Sequence, residues 1–162
     1  MKDTFAILAC LLTFCGLSNN LWAKAETSAV VDRATEIRIL PAHHSSGLIH
    51  DPERIVFTAS AQVTVQVITP DNDPKNRSYI SGKKATAFKI VAENCLFVLK
   101  KPEYGGRDNR DDHMQKVWQK TLAAIESLKQ GKPITLMFHQ PEIDIRQSVV
   151  TRISGIGSAY TR

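Results

Sequence analysis

Three of the chain's five histidines lie in the stretch PAHHSSGLIHDP, residues 41–52. His43, His44 and His50, together with Asp51, carry the nitrogen and oxygen atoms that bind zinc and other divalent metals. The spacing argues against a metal site, because the neighbours His43 and His44 point to opposite sides of an extended strand. Two other interpretations stay open: a polar turn at the Ser-Ser-Gly step, or a loop whose histidines contact a ligand. We predict no resident metal or other cofactor.

Other combinations that support catalysis are weakly represented. Ser45 and Ser46 lie beside two histidines, but the chain has no G-x-S-x-G turn to expose a nucleophilic serine. Glu142 and Asp144 form a pair of carboxylates without a further catalytic pattern around them. The sequence therefore predicts that the protein is not an enzyme, and a small hydrolase is a minor alternative.

The N-terminal residues 1–25 have the pattern of a secretory signal peptide. Lys2 precedes an apolar run from Phe5 to Leu17, which is too short to cross ~30 Å of hydrocarbon as a helix. Ala23 and Ala25 then form a small-x-small cleavage pattern. We expect cleavage to leave residues 26–162 as a single secreted or periplasmic domain without a transmembrane segment.

Charge and cysteine content narrow the classes of partner. Cleavage would remove Lys2, Lys24 and Asp3, which takes the net charge from +5 to +4. The remaining charges are scattered, so no nucleic-acid partner is predicted. Cys95 would be the one cysteine of the mature chain, which excludes an internal disulfide. Its apolar neighbours predict a buried and inert thiol.

Hydrophobic patterning predicts a mainly β domain with one amphipathic helix. Residues 26–34 look like a mobile lead-in, 70–84 and 102–112 like polar loops, and 141–148 like a loop or a hairpin arm. The predicted strands are 36–40, 54–69, 85–101, 133–140 and 149–160. The helix is expected over 111–131, ending at Gly131, with an apolar face of Met114, Val117, Trp118, Leu122, Ile125 and Leu128.

Three strands, a helix and two strands is the element order of a five-stranded OB-like β-barrel, with its helix between strands 3 and 4. Small residues at 59–61 predict a bend in the second strand, and Ala92-Glu93-Asn94 predicts a bulge in the third. An α+β sandwich, with the helix across an open antiparallel sheet, is the alternative.

The C-terminal third carries a family likeness. Gly131-Lys132 at the helix end, the alternating residues 134–139, and the Ser154-Gly155-Ile156-Gly157 step follow one another in this order. The region resembles the end of small exported OB-fold proteins, including the B subunits of pertussis-like and subtilase-cytotoxin-like bacterial AB toxins. The resemblance implies a glycan- or receptor-binding module, often a ring-forming homo-oligomer.

OB barrels bind ligands on the outer face of strands 2 and 3 and in the loops after strands 1 and 4, here residues 41–53 and 140–148. Aromatic and imidazole rings pack on sugar C–H faces, and charged side chains bond to hydroxyls. The candidate ligand-binding residues are His43, His44, His50, Asp51, Tyr79, Tyr104, Arg107 and Glu142.

The function hypothesis that follows is an exported module that binds a protein partner, a glycan or both. It would act as the glycan- or receptor-binding subunit of a larger assembly. The alternative is a periplasmic structural or interaction protein of an envelope or secretion complex, and a metal-binding protein is a third hypothesis.

Overall fold

The computed structural model describes residues 24–44, 50–69, 84–103, 110–147 and 149–162. The elements are β1 (Lys24–Leu40), β2 (His43–His44), β3 (His50–Asp51), β4 (Arg54–Thr69), β5 (Lys84–Lys100), α1 (Arg110–Lys129), β6 (Ile134–Arg146) and β7 (Val149–Thr161). The described part of the chain is thus mainly β with one helix, as the sequence predicted.

The five long strands form one sheet that closes into a ring. The order around the ring is β1-β4-β5-β7-β6, with β6 returning to β1. Every contact is antiparallel except that of β5 with β7, which run parallel over Leu96–Lys100 and Arg152–Ile156. The helix follows the third long strand and precedes the fourth, at the predicted place in the order.

A column of phenylalanine rings fills part of the interior. Phe57 stacks on Phe97 with ring centroids 5.4 Å apart, and Phe97 stacks on Phe138 at 6.5 Å. The three rings come from β4, β5 and β6, and each is at most 1% exposed. Offset contacts between buried rings add about 0.5–1.5 kcal/mol per pair to the burial of their area, so this column ties three strands together.

The first strand begins earlier than the sequence indicated. Residues 26–34 belong to β1, so the predicted mobile lead-in was wrong. Thr27, Ala29 and Val31 alternate into the core, and the segment pairs with both β4 and β6. Threonine and alanine give a weak hydrophobic signal, and the two neighbouring strands supply the stabilisation instead.

Of the two alternatives predicted for residues 141–148, the hairpin arm is confirmed and the loop was wrong, since β6 continues to Arg146 and pairs with β7. Pro141 is tolerated because it lies in a bulge. The β6–β7 register shifts between His139 and Glu142, and Gln140 has a φ of 46°. Pairing with β1 ends at His139, so Pro141 occupies a part of β6 with one strand neighbour.

The bulge expected in the third long strand is confirmed. The β4–β5 register passes from Ala59 opposite Cys95 to Ala61 opposite Ala92. Asn94 takes a φ of 49°, and its backbone N–H donates to Ser60 Oγ at 3.1 Å. The extra residue bends both strands at the same place and so helps the sheet to close.

The helix packs on β7, β1 and β6 through a buried face that includes Trp118, Ile125 and Leu128. Its last residue is Lys129, and the predicted Gly131 terminates it in the following turn with a φ of 81°. The N–H of Gly131 donates to the Leu128 carbonyl at 2.9 Å, and that of Lys132 to the Ser127 carbonyl at 3.0 Å. These two bonds are the Schellman arrangement, which satisfies carbonyls that the last turn leaves unpaired.

Among the described residues, no helix has both the length and the apolar character that crossing a bilayer requires.

Candidate functional site

Strand register places one set of side chains on the outer face of the ring. Phe97 and Leu99 of β5 and Ile153 of β7 belong to the core, so the residues between and beside them point outward. Across β4, β5, β7 and β6, the pairing aligns one row of Arg54, Lys100, Ile156 and His139 and a second row of Val56, Val98, Ser154 and Glu142.

The bulge in β6 keeps His139 and Glu142, the β6 members of these two rows, on the same outer face. Gln140 and Pro141 together oppose the single residue Gly155, so His139 and Glu142 both remain on the outer face. A Cβ atom on Gly155 would lie 3.1 Å from Pro141 Cα. The absence of a side chain at Gly155 therefore allows β6 and β7 to approach closely beside the bulge.

A cleft of about 370 Å³ lies over this part of the outer face. Its floor and walls come from the ends of β5 and β3 and from the middle of β6 and β7. The lining residues are Pro52, Lys100, Lys101, Glu103, His139, Gln140, Glu142, Ser154, Gly155 and Ile156. The volume falls in the range of about 300–1,000 Å³ that is usual for small-molecule sites.

Charges at the rim are partly paired. Lys101 Nζ lies 3.7 Å from Glu53 Oε2, and Arg54 Nη1 lies 3.6 Å from Asp51 Oδ2. Within the described ranges, neither Lys100 nor Glu142 forms a salt bridge. The cleft thus offers the Lys100 ammonium and the Glu142 carboxylate to a bound molecule. The exposed His139 lies on β6, the strand that also carries Glu142.

Ser154 is the buried polar member of the site. The residue is 1% exposed, and its Oγ has no hydrogen-bond partner in the part of the chain that the structure describes. Its neighbour across the parallel contact, Val98, is 7% exposed and apolar. A hydroxyl in this position is both a donor and an acceptor, and a molecule that enters the cleft deeply can satisfy it.

The histidine-rich stretch forms a small antiparallel pair at one side of the ring. β2 pairs with β3 so that His43 opposes Asp51 and His44 opposes His50. The His43 side chain is exposed, and Asp51 is half-buried beside Pro52 of the cleft. In the ranges that the structure covers, no three His, Cys, Asp or Glu side chains come together as a metal site.

The remaining predicted residues divide into two groups. Glu142 lines the cleft, as a member of the region expected to bind ligand. Tyr79, Tyr104 and Arg107 lie outside the described residues. The structure therefore brings Glu142 and Pro52 to the cleft, and it places His43 opposite Asp51 on the β2–β3 pair.

Sequence reasoning missed His139, Lys100 and Ile156 as site residues. A usable signal for His139 was Pro141, since a proline within an alternating pattern marks a bulge or an edge, and bulges redirect nearby side chains. The place of Lys100 beside Ile156 had no local signal, because it depends on the parallel contact between strands far apart in the chain.

Cys95 lies in the core next to the β5 bulge and is a free cysteine, fully buried as predicted. Burial raises the pKa of its thiol from 9.0 to about 12. The neutral thiol is therefore the form present at physiological pH, and it behaves as a small apolar side chain.

Comparison with known proteins gave no relative. No protein-family model, no curated protein and no solved structure matches the chain.

Proposed function

We propose that this protein is an exported, non-catalytic binding module of the OB type that holds part of a glycan in the cleft over β5, β7 and β6. The closed ring of five strands, with the helix between the third and fourth, supports the barrel assignment. The functional proposal rests on the cleft, because it combines the exposed Ile156 with Lys100 and Glu142, which form no salt bridge with the described residues.

The chemistry of the cleft suits a sugar ring. Ile156 is 47% exposed and offers an apolar patch to C–H groups, with the His139 imidazole opposite it in the strand register. Lys100 donates to hydroxyl oxygens, Glu142 accepts from hydroxyl groups, and Gln140 does both. The apolar groups of the cleft thus match the C–H faces of a sugar, and its hydrogen-bonding groups match the sugar hydroxyls.

The size of the cleft selects a short ligand. A volume of about 370 Å³ is at the lower end of the range for small-molecule sites, so we expect the terminal residues of a glycan to enter. The lining includes both Lys and Glu side chains, and we therefore expect recognition by hydrogen bonds and packing more than by net charge.

Screening the purified protein on an array of immobilised glycans tests the proposal. A glycan retained on the array should also bind in solution, measured by isothermal titration calorimetry. His139→Ala with Glu142→Gln should weaken binding by about tenfold or more, because one packing contact and one charged acceptor are lost. Lys120→Ala, an exposed change on α1, is the matched control and should leave the affinity unchanged.

Two results would contradict the proposal. One is a screen in which no glycan is retained at any protein concentration. The other is a bound glycan whose affinity is the same for the double variant and for the Lys120→Ala control, which would place its site elsewhere.

Export is part of the same proposal and has its own test. Expression of the full chain in a bacterium, followed by mass spectrometry of the periplasmic and secreted fractions, should detect a protein that begins at Glu26. Recovery of the intact chain only in the cytoplasm would contradict export without bearing on glycan binding.

A further inference from the structure

Strand β5 has an open edge along most of its length. β5 pairs with β4 from Lys84 to Lys100, with an interruption at the bulge of Glu93 and Asn94. It pairs with β7 only over Leu96–Lys100. From Lys84 to Cys95, the side of β5 away from β4 therefore has no strand partner among the described residues. Such an edge presents unpaired backbone N–H and C=O groups, which form a template for another strand.

The exposed side chains along this edge have charges that would complement those of a second, antiparallel copy. Lys89, Val91 and Glu93 are exposed, whereas Ile90 and Ala92 between them are buried in the core. Val91 is 66% exposed, more than any other large apolar side chain described. A positive residue, an exposed apolar residue and a negative residue thus follow one another on one face of the open edge.

We propose that this edge binds a second copy of the same chain, by antiparallel pairing of the two β5 strands about a twofold axis at Val91. In this register the Val91 side chains of the two copies lie opposite each other. Lys89 of each copy then faces Glu93 of the other, so the twofold axis creates two ion pairs around an apolar centre.

Charge complementarity favours this register over those in which the axis lies at another of the outward residues. A twofold axis at Lys89 would place the two lysines opposite each other, and an axis at Glu93 would do the same with two glutamates. Like charges directly opposite each other are destabilising. Asn94, with its left-handed φ and its N–H bonded to Ser60, limits the regular run at one end.

The contact is short, and its strength should reflect that. Few residues pair on each side, so the area buried is at the low end for protein interfaces, and we expect a reversible dimer that depends on concentration. Lys100, the β5 member of the cleft, lies at the opposite end of the strand from this edge. Dimer formation therefore neither needs nor blocks the proposed ligand.

Sedimentation equilibrium of the purified protein tests the contact through a charge swap. The unmodified protein should show a monomer–dimer equilibrium. Lys89→Glu and Glu93→Lys should each weaken the dimer on the order of tenfold or more, because each converts both ion pairs into repulsions. The double variant carries the same pairs in reverse and should return to the original dissociation constant.

The controls separate pairing from folding. Lys120→Glu makes the same charge change on the exposed face of α1 and should leave the dimer intact. Val91→Arg puts two like charges at the axis and should abolish the dimer, and far-UV circular dichroism should show that each variant keeps its fold.

Three outcomes would overturn the proposal. These are a protein that stays monomeric at every concentration, a double variant no better than the single variants, and an assembly larger than a dimer that persists in Val91→Arg. None of these results depends on whether a glycan binds.

Discussion

The backbone N–H of Ala159 donates a hydrogen bond to Thr121 Oγ1 across 3.2 Å, which joins β7 to the helix. Both residues are fully buried, and the Thr121 hydroxyl itself donates to the Val117 carbonyl at 2.9 Å. The parallel contact of β7 with β5 ends at Ile156, three residues earlier. The helix therefore supplies the acceptor that β5 no longer offers, and it completes the ring where the two strands separate.

Thr121→Val should destabilise the protein by about 1–3 kcal/mol. Valine has nearly the same shape as threonine but no acceptor, so the buried N–H of Ala159 is left without a partner. Chemical denaturation followed by circular dichroism measures the free energy of unfolding, provided that the slope with denaturant is the same for both proteins.

Ser127→Ala is the control for this bond. Ser127 Oγ donates to the Ala123 carbonyl at 3.2 Å, as the Thr121 hydroxyl donates to the Val117 carbonyl, but on an exposed part of the same helix. Water can replace it, so the change should stay within about 0.5 kcal/mol. Equal losses in the two variants would show that the bond to Ala159 adds nothing to stability.

Gly157→Ala should lower the free energy of unfolding more than Gly131→Ala, the same change at the end of the helix. A Cβ on Gly157 would overlap the Met137 carbonyl oxygen of the paired strand and lie 2.8 Å from Leu99 Cδ1. Because one of these atoms belongs to the backbone of β6, relief requires the strands to move apart. We expect a loss of about 3 kcal/mol or more in the free energy of unfolding.

Gly131→Ala provides the comparison. Its left-handed φ of 81° disfavours alanine, but a Cβ there meets no atom within 4 Å. The expected loss is about 1–2 kcal/mol, from the backbone conformation alone. If this variant unfolds as easily as Gly157→Ala, the close approach of β6 and β7 is not the reason for the glycine at 157.

Local patterning explains why much of the fold could be predicted. The β4 strand matches its predicted range because Val63 and Val65 alternate with polar residues, and Gly131 ends the helix as expected. The start of β1 could not be recognised, since Thr27 and Ala29 acquire their burial only from strands that are distant in sequence.

The candidate site was less predictable for a related reason. Glu142 was predicted as a candidate because it falls in a region where OB barrels bind ligands. The neighbours that give it a chemical setting, Lys100 and Ile156, reach it through a parallel register that no local pattern encodes. Strand identity is a property of short segments, whereas a surface site depends on how the strands are aligned.

The Cys95 thiol should make stability fall as the pH rises from about 9 to about 12. Burial raises its pKa in the folded protein to about 12, whereas the exposed thiol of the unfolded chain titrates near 9.0. Below about pH 9 the Cys95 thiol is protonated in both the folded and the unfolded state, so its contribution to the free energy of unfolding is fully present. Above it the unfolded state loses its proton first, so the free energy of unfolding decreases.

Cys95→Ala isolates this contribution from that of other groups which titrate at high pH. Between about pH 8 and about pH 10, the free energy of unfolding should fall by about 1 kcal/mol more in the unmodified protein than in the variant. Denaturation curves at the two pH values provide the measurement. Parallel losses in the two proteins would mean that the folded-state pKa of the thiol is not raised.

Ser154→Ala should leave stability unchanged or raise it by up to about 1 kcal/mol. The Ser154 hydroxyl is buried and has no partner among the described residues, so folding removes it from water without a compensating hydrogen bond. Alanine avoids that cost and leaves only a small gap. Thermal unfolding monitored by circular dichroism is sufficient to detect the direction of the change.

Thr27→Val is the matched variant, because Thr27 Oγ1 is also buried and has no partner in the described ranges, but it lies inside the ring, away from the cleft. Both variants should be at least as stable as the unmodified protein. Only Ser154→Ala should weaken binding of a molecule that reaches the floor of the cleft. A loss of stability in Ser154→Ala but not in Thr27→Val would show that the Ser154 hydroxyl is satisfied in the free protein, and it would remove the reason to expect a ligand there.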